Sequence, residues 1–223
     1  MVVTMTEIQS KDVKAFEEAI KNKDLKTIAK ILKDKPSIVN EKDTQGKLFL
    51  NLAIEIDNKV AILLIESGAD VNKLDTLGFT PIYNAIKSID IFLTYDVSAE
   101  EIFQTFQTMI TRGATLSVQD RRGNTPINYI AQRAKGIRSL NDIYTKVAKM
   151  LLALDKNAST TIQIKNNMGK SPLDYLSRNG NVILRDAVFS KLPHIQEAIN
   201  RTIAETEAAT KKILDSTSDK ALS

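Results

Sequence analysis

The sequence contains no cysteine and a single histidine, His194, and only 5% of its residues are aromatic. The lack of cysteine excludes disulfides, thiolate chemistry and cysteine-ligated zinc, and one histidine excludes a site with several histidine ligands. No run of about 18 apolar residues occurs, so no membrane-spanning helix is expected. The first residues lack the basic region and apolar run of a secretory signal peptide. We therefore expect a soluble protein of a reducing compartment such as the cytoplasm.

The composition is that of a globular protein, with 223 residues, 43% of them hydrophobic and 26% charged. The net charge of +4 is mild, but seven basic residues stand against Asp120 and Asp142 between positions 120 and 150. That segment is either a solvated face or a site for an acidic protein. Nucleic acid and an anionic membrane are less favoured alternatives, because few aromatic side chains alternate with the basic ones.

A short motif recurs along the chain. Gly-Phe-Thr-Pro-Ile at 78–82 reappears as Gly-Asn-Thr-Pro-Ile at 123–127 and as Gly-Lys-Ser-Pro-Leu at 169–173. Three residues before each copy stands Asp75, Asp120 or Asn166, and Asp43 begins a poorer copy. The intervals between these four residues are 32, 45 and 46. The first is close to a repeat period of about 33, and the other two indicate the same unit with an insertion.

Each part of the motif has a physical reason. Glycine suits a turn that requires positive φ, and Thr or Ser is a good N-cap for the helix that follows. Proline then falls at the first helical position, where a missing N–H costs nothing. Apolar runs such as 60–65 and 147–152 suit a second, buried helix, and the glycine of Gly68-Ala-Asp70 suits its C-terminal cap.

This pattern resembles the ankyrin-repeat family over about residues 12 to 188. The resemblance implies an all-α solenoid of helix-turn-helix pairs in about five units, followed by a C-terminal helix. The expected boundaries are a flexible N-terminus at 1–11, a repeat domain at 12–189, and a C-terminal helix with a disordered tail at 190–223. Within the domain we expect a cap at 12–42 and repeats at 43–74, 75–119, 120–165 and 166–189.

The chain departs from the family pattern in two respects. The box is lost in the second unit, where Lys47-Leu-Phe-Leu50 makes the helix start less certain. The family's box histidine is replaced everywhere, which puts the usual bonding between repeats in doubt and predicts lower stability than a regular array. The replacements are Asn51, Tyr83, Asn128 and Asp174.

Two insertions are placed between the paired helices, at 87–98 and 132–139. Ser98 and Glu101 form a capping box that predicts a helix to about Thr111, and Ser139 with Asp142 is assigned a similar part. The second helices are therefore expected to be long. The insertions are interpreted either as neutral edge loops, which closure entropy tolerates, or as an adapted groove wall.

Residues 195–214 show a thin heptad-like seam, interpreted as a capping helix or as a partner-binding or self-associating helix. No catalytic constellation is apparent, and we expect neither enzymatic activity nor a cofactor. The adjacent pairs Glu17-Glu18 and Glu100-Glu101 are interpreted as solvated faces, and His194 as a surface or capping residue.

Function is therefore expected at variable positions beside the turns, which the resemblance places on the turn tips and the concave face. Leu77, Phe79 and Met168 are apolar where water is expected, and arginines stand beside them, which is an interface composition. The candidate partner-binding residues are Leu77, Phe79, Lys87, Arg121, Arg122, Asn124, Arg133, Met168 and Lys170.

The leading hypothesis is a protein–protein interaction module that binds a partner of unknown identity, acidic in character. The alternative is a structural or self-assembling protein that uses the C-terminal helix for oligomerisation. The irregular repeats and the richness in Lys, Ile and Asn resemble ankyrin proteins of intracellular bacteria and large viruses. That resemblance implies an effector that acts in, or is delivered into, a host cell.

Overall fold

The computed structural model describes residues 5–76, 78–94, 98–133 and 138–178, together with Glu197, Arg201 and Ala204. Within these residues the fold is entirely helical, apart from turns and a single antiparallel bridge between Lys42 and Leu48. A short 3-10 helix, Pro36–Asn40, follows the second α-helix. The α-helices are α1 Met5–Lys21, α2 Leu25–Asp34, α3 Phe49–Ile56, α4 Asn58–Glu66, α5 Pro81–Thr94, α6 Ala99–Thr111, α7 Pro126–Arg133, α8 Arg138–Leu154, α9 Ala158–Thr161 and α10 Pro172–Arg178.

The helices follow one another in pairs, and each pair packs on the next. Helices α1, α3, α5, α7 and α10 contact one another in that order, and so do α2, α4, α6 and α8. The side chains between the two rows form one continuous apolar core that extends from Phe16 in α1 to Ile162 after α8. The same helix-pair arrangement is thus used several times along the chain.

Four turns of one geometry separate the pairs, at 43–47, 75–79, 120–124 and 166–170. In each turn the first residue and the fifth are joined backbone to backbone, with N···O distances of 2.7–2.9 Å. The first side chain accepts the N–H of the fifth residue through Oδ1, for example at 2.8 Å from Asn124 to Asp120. The fourth residue is a glycine with φ between +69° and +79° at 46, 123 and 169, and +82° at 78.

The helices after these turns begin where the sequence predicts. Prolines 81, 126 and 172 are the first residues of α5, α7 and α10. The Thr125 hydroxyl accepts the N–H of Asn128 at 3.2 Å, and Ser171 and Asp174 cap reciprocally. The predicted cap at Thr80 is different, since its buried hydroxyl has no hydrogen-bond partner among the described residues. In the second unit, where the helix start was less certain, α3 begins at Phe49 without a side-chain cap.

The bonding between units that the sequence left in doubt is present at Asn51 and Asn128, whereas Tyr83 bonds to the end of its own unit, two residues before the next turn. The Asn51 amide donates to Asp75 in the next turn at 3.4 Å. The Tyr83 hydroxyl donates to the Val118 carbonyl at 3.2 Å, and the Asn128 amide donates to the Lys170 carbonyl at 3.4 Å. The fourth replacement, Asp174, caps its own helix instead.

A second series of bonds joins the loops at the other end of the pairs. Asn40 accepts from the Asp70 N–H at 2.7 Å and donates to the Gly68 carbonyl at 3.1 Å. One unit further on, Asn72 makes the same two bonds, to Thr115 at 2.9 Å and to Gly113 at 2.8 Å. The two interfaces on either side of the unit at 43–74 are therefore fastened by amide side chains in addition to the apolar core.

The first insertion is helical from its start to Thr94, which corrects its interpretation as an edge loop. Helix α5 continues into it, and Ser88 and Ile89 are 2% and 0% exposed. Ile89 belongs to the apolar core, and the Ser88 hydroxyl donates to the Asn84 carbonyl one turn earlier at 2.9 Å. Shortening the segment would therefore remove core side chains.

The second helices are long at both insertions, as expected. Helices α6 and α8 have 13 and 17 residues, against nine in α4. Ser98 caps α6 by accepting the Glu101 N–H at 3.2 Å, and the helix ends at Thr111. Helix α8, by contrast, already includes Ser139, so this residue does not precede the helix as a cap.

The N-terminal end of the chain differs from the expected boundary, and the C-terminal boundary stays a prediction. Helix α1 begins at Met5, although the sequence placed the first unit from position 12. The expected C-terminal segment at 190–223, with His194, lies outside the described residues except for the three named above, which are helical.

Glu17 corrects another expectation, because it is buried and not part of a solvated face. Its side chain accepts the Thr44 N–H at 3.0 Å and pairs with Lys21 at 2.5 Å, which joins α1 to the first turn. Burial acts to raise the pKa of this carboxyl. The hydrogen bonds from Lys21 and Thr44 outweigh that effect and hold the pKa below its usual value.

We predict that Glu17→Gln lowers the free energy of unfolding at pH 7 by about 1.5–3 kcal/mol, the size of a charged hydrogen bond. Because the folded-state pKa lies below the unfolded value of about 4.5, this contribution is present above pH 4.5 and is lost as the pH falls through the folded-state value. Urea unfolding of both proteins between about pH 3 and about pH 7 measures the difference. The exposed neighbour gives the control, Glu18→Gln. A gap that stays constant down to the lowest pH would contradict the assignment.

We also predict that Gly123→Ala destabilises the fold more than Gly169→Ala. Both glycines have positive φ, so both changes carry left-handed strain of about 1–2 kcal/mol. A Cβ at Gly123 would also lie 2.8 Å from the Asn167 backbone nitrogen, whereas none of the atoms described lies within 4 Å of a Cβ at Gly169. The extra overpacking cost is about 1–3 kcal/mol. Thermal melting measures the fall in melting temperature of each variant. Equal falls in the two variants would show that the contact between the third and fourth turns is not close.

Candidate functional site

Two adjoining depressions lie over the third and fourth turns, between the turn tips and helices α7 and α10. Their volumes are about 340 and 230 Å3, and Arg121, Arg122, Asn124 and Gln132 line both. We call this continuous concave surface the furrow. Its remaining lining residues are Phe79, Asp120 and Tyr129 on one side and Asn166, Asn167, Met168 and Tyr175 on the other.

The floor of the furrow is a chain of amide hydrogen bonds. The Asn124 Oδ1 accepts from Gln132 at 2.8 Å and from Asn166 at 2.9 Å, and Asn166 Nδ2 also reaches the Tyr175 hydroxyl at 3.0 Å. The Asn166 oxygen meanwhile accepts the N–H groups of Met168 and Lys170, both at 3.0 Å. The fourth turn is thus fixed to the third turn and to α10 through one side chain.

The turn tips are also bonded to each other. One nitrogen of the Arg121 guanidinium donates to the Thr76 carbonyl of the preceding tip at 2.7 Å. On the other side, Asn167 donates its backbone N–H to the Arg122 carbonyl at 3.0 Å and its amide to the Arg121 carbonyl at 3.2 Å. The backbone at 121–122 is therefore held from both neighbouring tips, while both arginine side chains are exposed.

Aromatic side chains form the wall nearest the second turn. Phe79 packs on Tyr83 with ring centroids 5.6 Å apart, and Tyr83 meets Tyr129 edge-on at 6.2 Å. The Lys87 ammonium lies 4.6 Å from the Phe79 ring centre, and the Arg133 guanidinium lies 4.8 Å from that of Tyr129. On α7 the i, i+4 spacing places Arg133 over the ring of Tyr129 one turn before it, whereas Phe79 precedes α5 and lies eight residues before Lys87.

Arg133 has a further set of partners behind this wall. It forms an ion pair with Asp90 of α5, and Asp90 also accepts the Tyr144 hydroxyl of α8 at 2.8 Å. Burial, followed by the bond to Asp90, raises the pKa of Tyr144, so this phenol remains protonated. The cluster joins α5, α7 and α8 and does not line the furrow.

Five of the nine candidate residues come together in the furrow: Phe79, Arg121, Arg122, Asn124 and Met168. Asn124 is 6% exposed and belongs to the floor, so it is not the exposed contact residue expected from the sequence. Lys87 contacts Phe79 from outside, and Lys170 is half-buried in the fourth turn. Leu77 lies outside the described residues.

Two aromatic lining residues, Tyr129 and Tyr175, were not predicted from the sequence. Tyr129 is half-buried, packs against the apolar core and also lines the furrow. Both residues stand three positions after the proline that begins their helix. That equivalent placement on α7 and α10 was a signal from which both could have been found.

Among the residues that the structure describes, no three acidic, histidine or cysteine side chains are grouped so that they could hold a metal ion. None of the described helices is long and apolar enough to cross a membrane. No protein-family model matches the chain. It is similar to human transient receptor potential cation channel subfamily A member 1, with 24% identity over 144 residues, which are 64% of this chain and 11% of the channel. The matched region is thus about a tenth of the channel's length.

Asn166 differs from the three aspartates that begin the other turns, and we predict that Asn166→Asp destabilises the fold by about 1–3 kcal/mol. The change keeps the turn acceptor but replaces the Nδ2 donor with an oxygen that faces the Asn124 Oδ1 acceptor. Asp43→Asn is the matched control, because Asn retains the Oδ1 that accepts from Gln45 and Lys47. Denaturant unfolding gives both values. A loss in the control as large as that in Asn166→Asp would refute the role of the donor.

Proposed function

We propose that this chain is an ankyrin-repeat solenoid that acts as a non-enzymatic protein–protein interaction module and binds its partner at the furrow. The observation that carries the proposal is the exposed, preformed surface on the third and fourth turns. Met168 is 77% exposed, the largest exposed fraction among the large apolar side chains of the described residues, and Arg122, which is also exposed, lines the same depression. Apolar, aromatic and arginine side chains around a concave centre are typical of protein interfaces.

Three observations support the repeat architecture. The four turns share one hydrogen-bond pattern, the first helices contact one another in order, and so do the second helices. The similar human channel contains ankyrin repeats. Neighbouring units in such arrays present equivalent turn tips side by side, which is the arrangement that generates an extended binding surface.

The alternative function is self-assembly through the seam at 195–214, and it depends on the sequence pattern alone. Sedimentation of the full chain and of a chain that ends at Leu192 separates the two proposals. Loss of oligomers after truncation favours self-assembly, whereas two monomeric species favour the interaction module. The proposal includes a host-directed role, which the resemblance implies. Host-cell lysates are therefore the source from which a binding partner is captured.

We predict that Arg122→Glu and Met168→Ala each weaken partner binding while the protein remains folded. A residue of this kind costs about 2 kcal/mol or more when it is lost, roughly thirtyfold in affinity. Arg121 is unsuitable for this test, because its bond to Thr76 also holds the tips together. Proteins retained by the immobilised full chain from host-cell lysates are identified by mass spectrometry and then titrated against each variant.

Arg112→Glu is the control with the same change of charge. Arg112 is exposed at the end of α6 and lines neither depression. A genuine partner at the furrow is retained by wild type and Arg112→Glu and is lost from Arg122→Glu. A partner that binds all three equally would place the interaction elsewhere on the chain.

A further inference from the structure

The charge of the furrow is one-sided. Its charged lining residues are Arg121, Arg122 and Asp120. The Asp120 carboxylate is engaged within its own turn, where Oδ1 accepts from the N–H groups of Arg122 and Asn124 at 2.8 Å each. Its Oδ2 accepts from the Asn124 side chain at 3.3 Å. The acidic group is therefore directed into the turn, and two guanidinium groups dominate the surface that faces solvent.

The two arginines are carried on a backbone that is already ordered. The Arg122 N–H is bonded within the turn, and both arginine carbonyls accept from Asn167. Binding therefore has to order only the side chains and not the loop, which reduces the entropy cost of association. Two neighbouring guanidinium groups in this setting suit planar carboxylates, which accept paired N–H bonds.

The other polar and apolar groups of the furrow extend this preference. The Tyr175 hydroxyl accepts from Asn166, so its own hydrogen can be donated to a ligand. Met168 supplies an exposed, adaptable apolar contact next to it. The donors and the apolar contact lie along one concave strip over two successive tips, a shape that fits a chain segment better than a flat membrane surface.

The aromatic residues argue against a single-stranded nucleic acid. Such ligands need ring faces on which bases can stack. The Phe79 ring contacts Tyr83 and Lys87, and the Tyr129 ring contacts Tyr83 and Arg133. These rings are half-buried, so they serve as a wall and leave little open face for stacking.

We propose, building on the function proposed above, that the furrow recognises an extended acidic peptide segment of the partner. Asp or Glu side chains of the segment pair with Arg121 and Arg122, and a neighbouring apolar side chain packs on Met168 beside Tyr175. The occupant is thus a linear, carboxylate-rich stretch of polypeptide and not a folded surface.

The test uses a random peptide library displayed on phage, selected against the full chain and in parallel against Arg122→Glu. The wild type is expected to enrich peptides with several Asp or Glu residues next to an apolar residue. A synthetic peptide of the enriched sequence is then titrated by fluorescence anisotropy. Its affinity should fall roughly thirtyfold for Arg122→Glu, stay within about twofold for Arg112→Glu, and fall as salt is added. Lys in place of the acidic residues should restore binding to Arg122→Glu.

Circular dichroism melting confirms that both variants remain folded. The proposal is overturned if the selected peptides lack acidic residues, if they bind Arg122→Glu as well as wild type, or if no sequence is enriched. It is also overturned if a labelled oligothymidylate binds more tightly than the peptide and depends on Arg122. Failure with peptides, combined with an Arg122-dependent protein from the lysate capture, would leave the interaction module intact and assign a folded partner surface to it. Failure in both experiments would remove both proposals.

Discussion

One side-chain oxygen at the start of each turn organises the structure. At 43, 75, 120 and 166 this oxygen accepts the N–H of the residue four positions later and closes the turn around a left-handed glycine. Closure fixes the direction in which the following helix leaves, and at three turns proline begins that helix two residues after the turn. The helix pairs then meet their neighbours at a constant orientation, and the core and the furrow both follow from that orientation.

The interfaces between units share this frame but differ in their details. At three equivalent positions this chain uses Asn51, Tyr83 and Asn128, and each of these side chains donates to a different kind of acceptor: a carboxylate of the next turn, a carbonyl two residues before the next turn and a carbonyl in the next turn. The second polar atom of the turn residue also plays different parts. The Asp75 Oδ2 accepts from Asn51 and Asn84. The Asn166 Nδ2 instead donates to Asn124 and Tyr175. The same turn geometry is therefore compatible with different hydrogen-bond partners, and each interface between units has its own set of hydrogen bonds.

Local chemistry explains which features the sequence could predict. Turn glycines, helix-first prolines and the Ser98 cap each depend on a few adjacent residues, so they were predicted at the correct positions. The continuation of α5 through the first insertion was missed, because burial of Ile89 depends on a neighbouring helix that is distant in sequence. Glu17 was misplaced for the same reason, since its decisive partner is Thr44 in the first turn. At the candidate site, the arginines and Met168 were found from their position beside the turns, whereas Tyr129 and Tyr175 required knowledge of which helix faces border the furrow.

Because the 121–122 backbone is held from both neighbouring tips, some positions around it are constrained by the fold and others are free to change. Positions 123 and 167 are constrained by the close approach of the two turns, and 121 by its bond to the preceding tip. The side chains at 122 and 168 project from a backbone whose bonds do not involve them. Selection can therefore exchange those two side chains with little effect on folding, and a new specificity can evolve at the furrow without a new fold. Divergent copies of this chain should accordingly vary most where the recognition surface is most exposed.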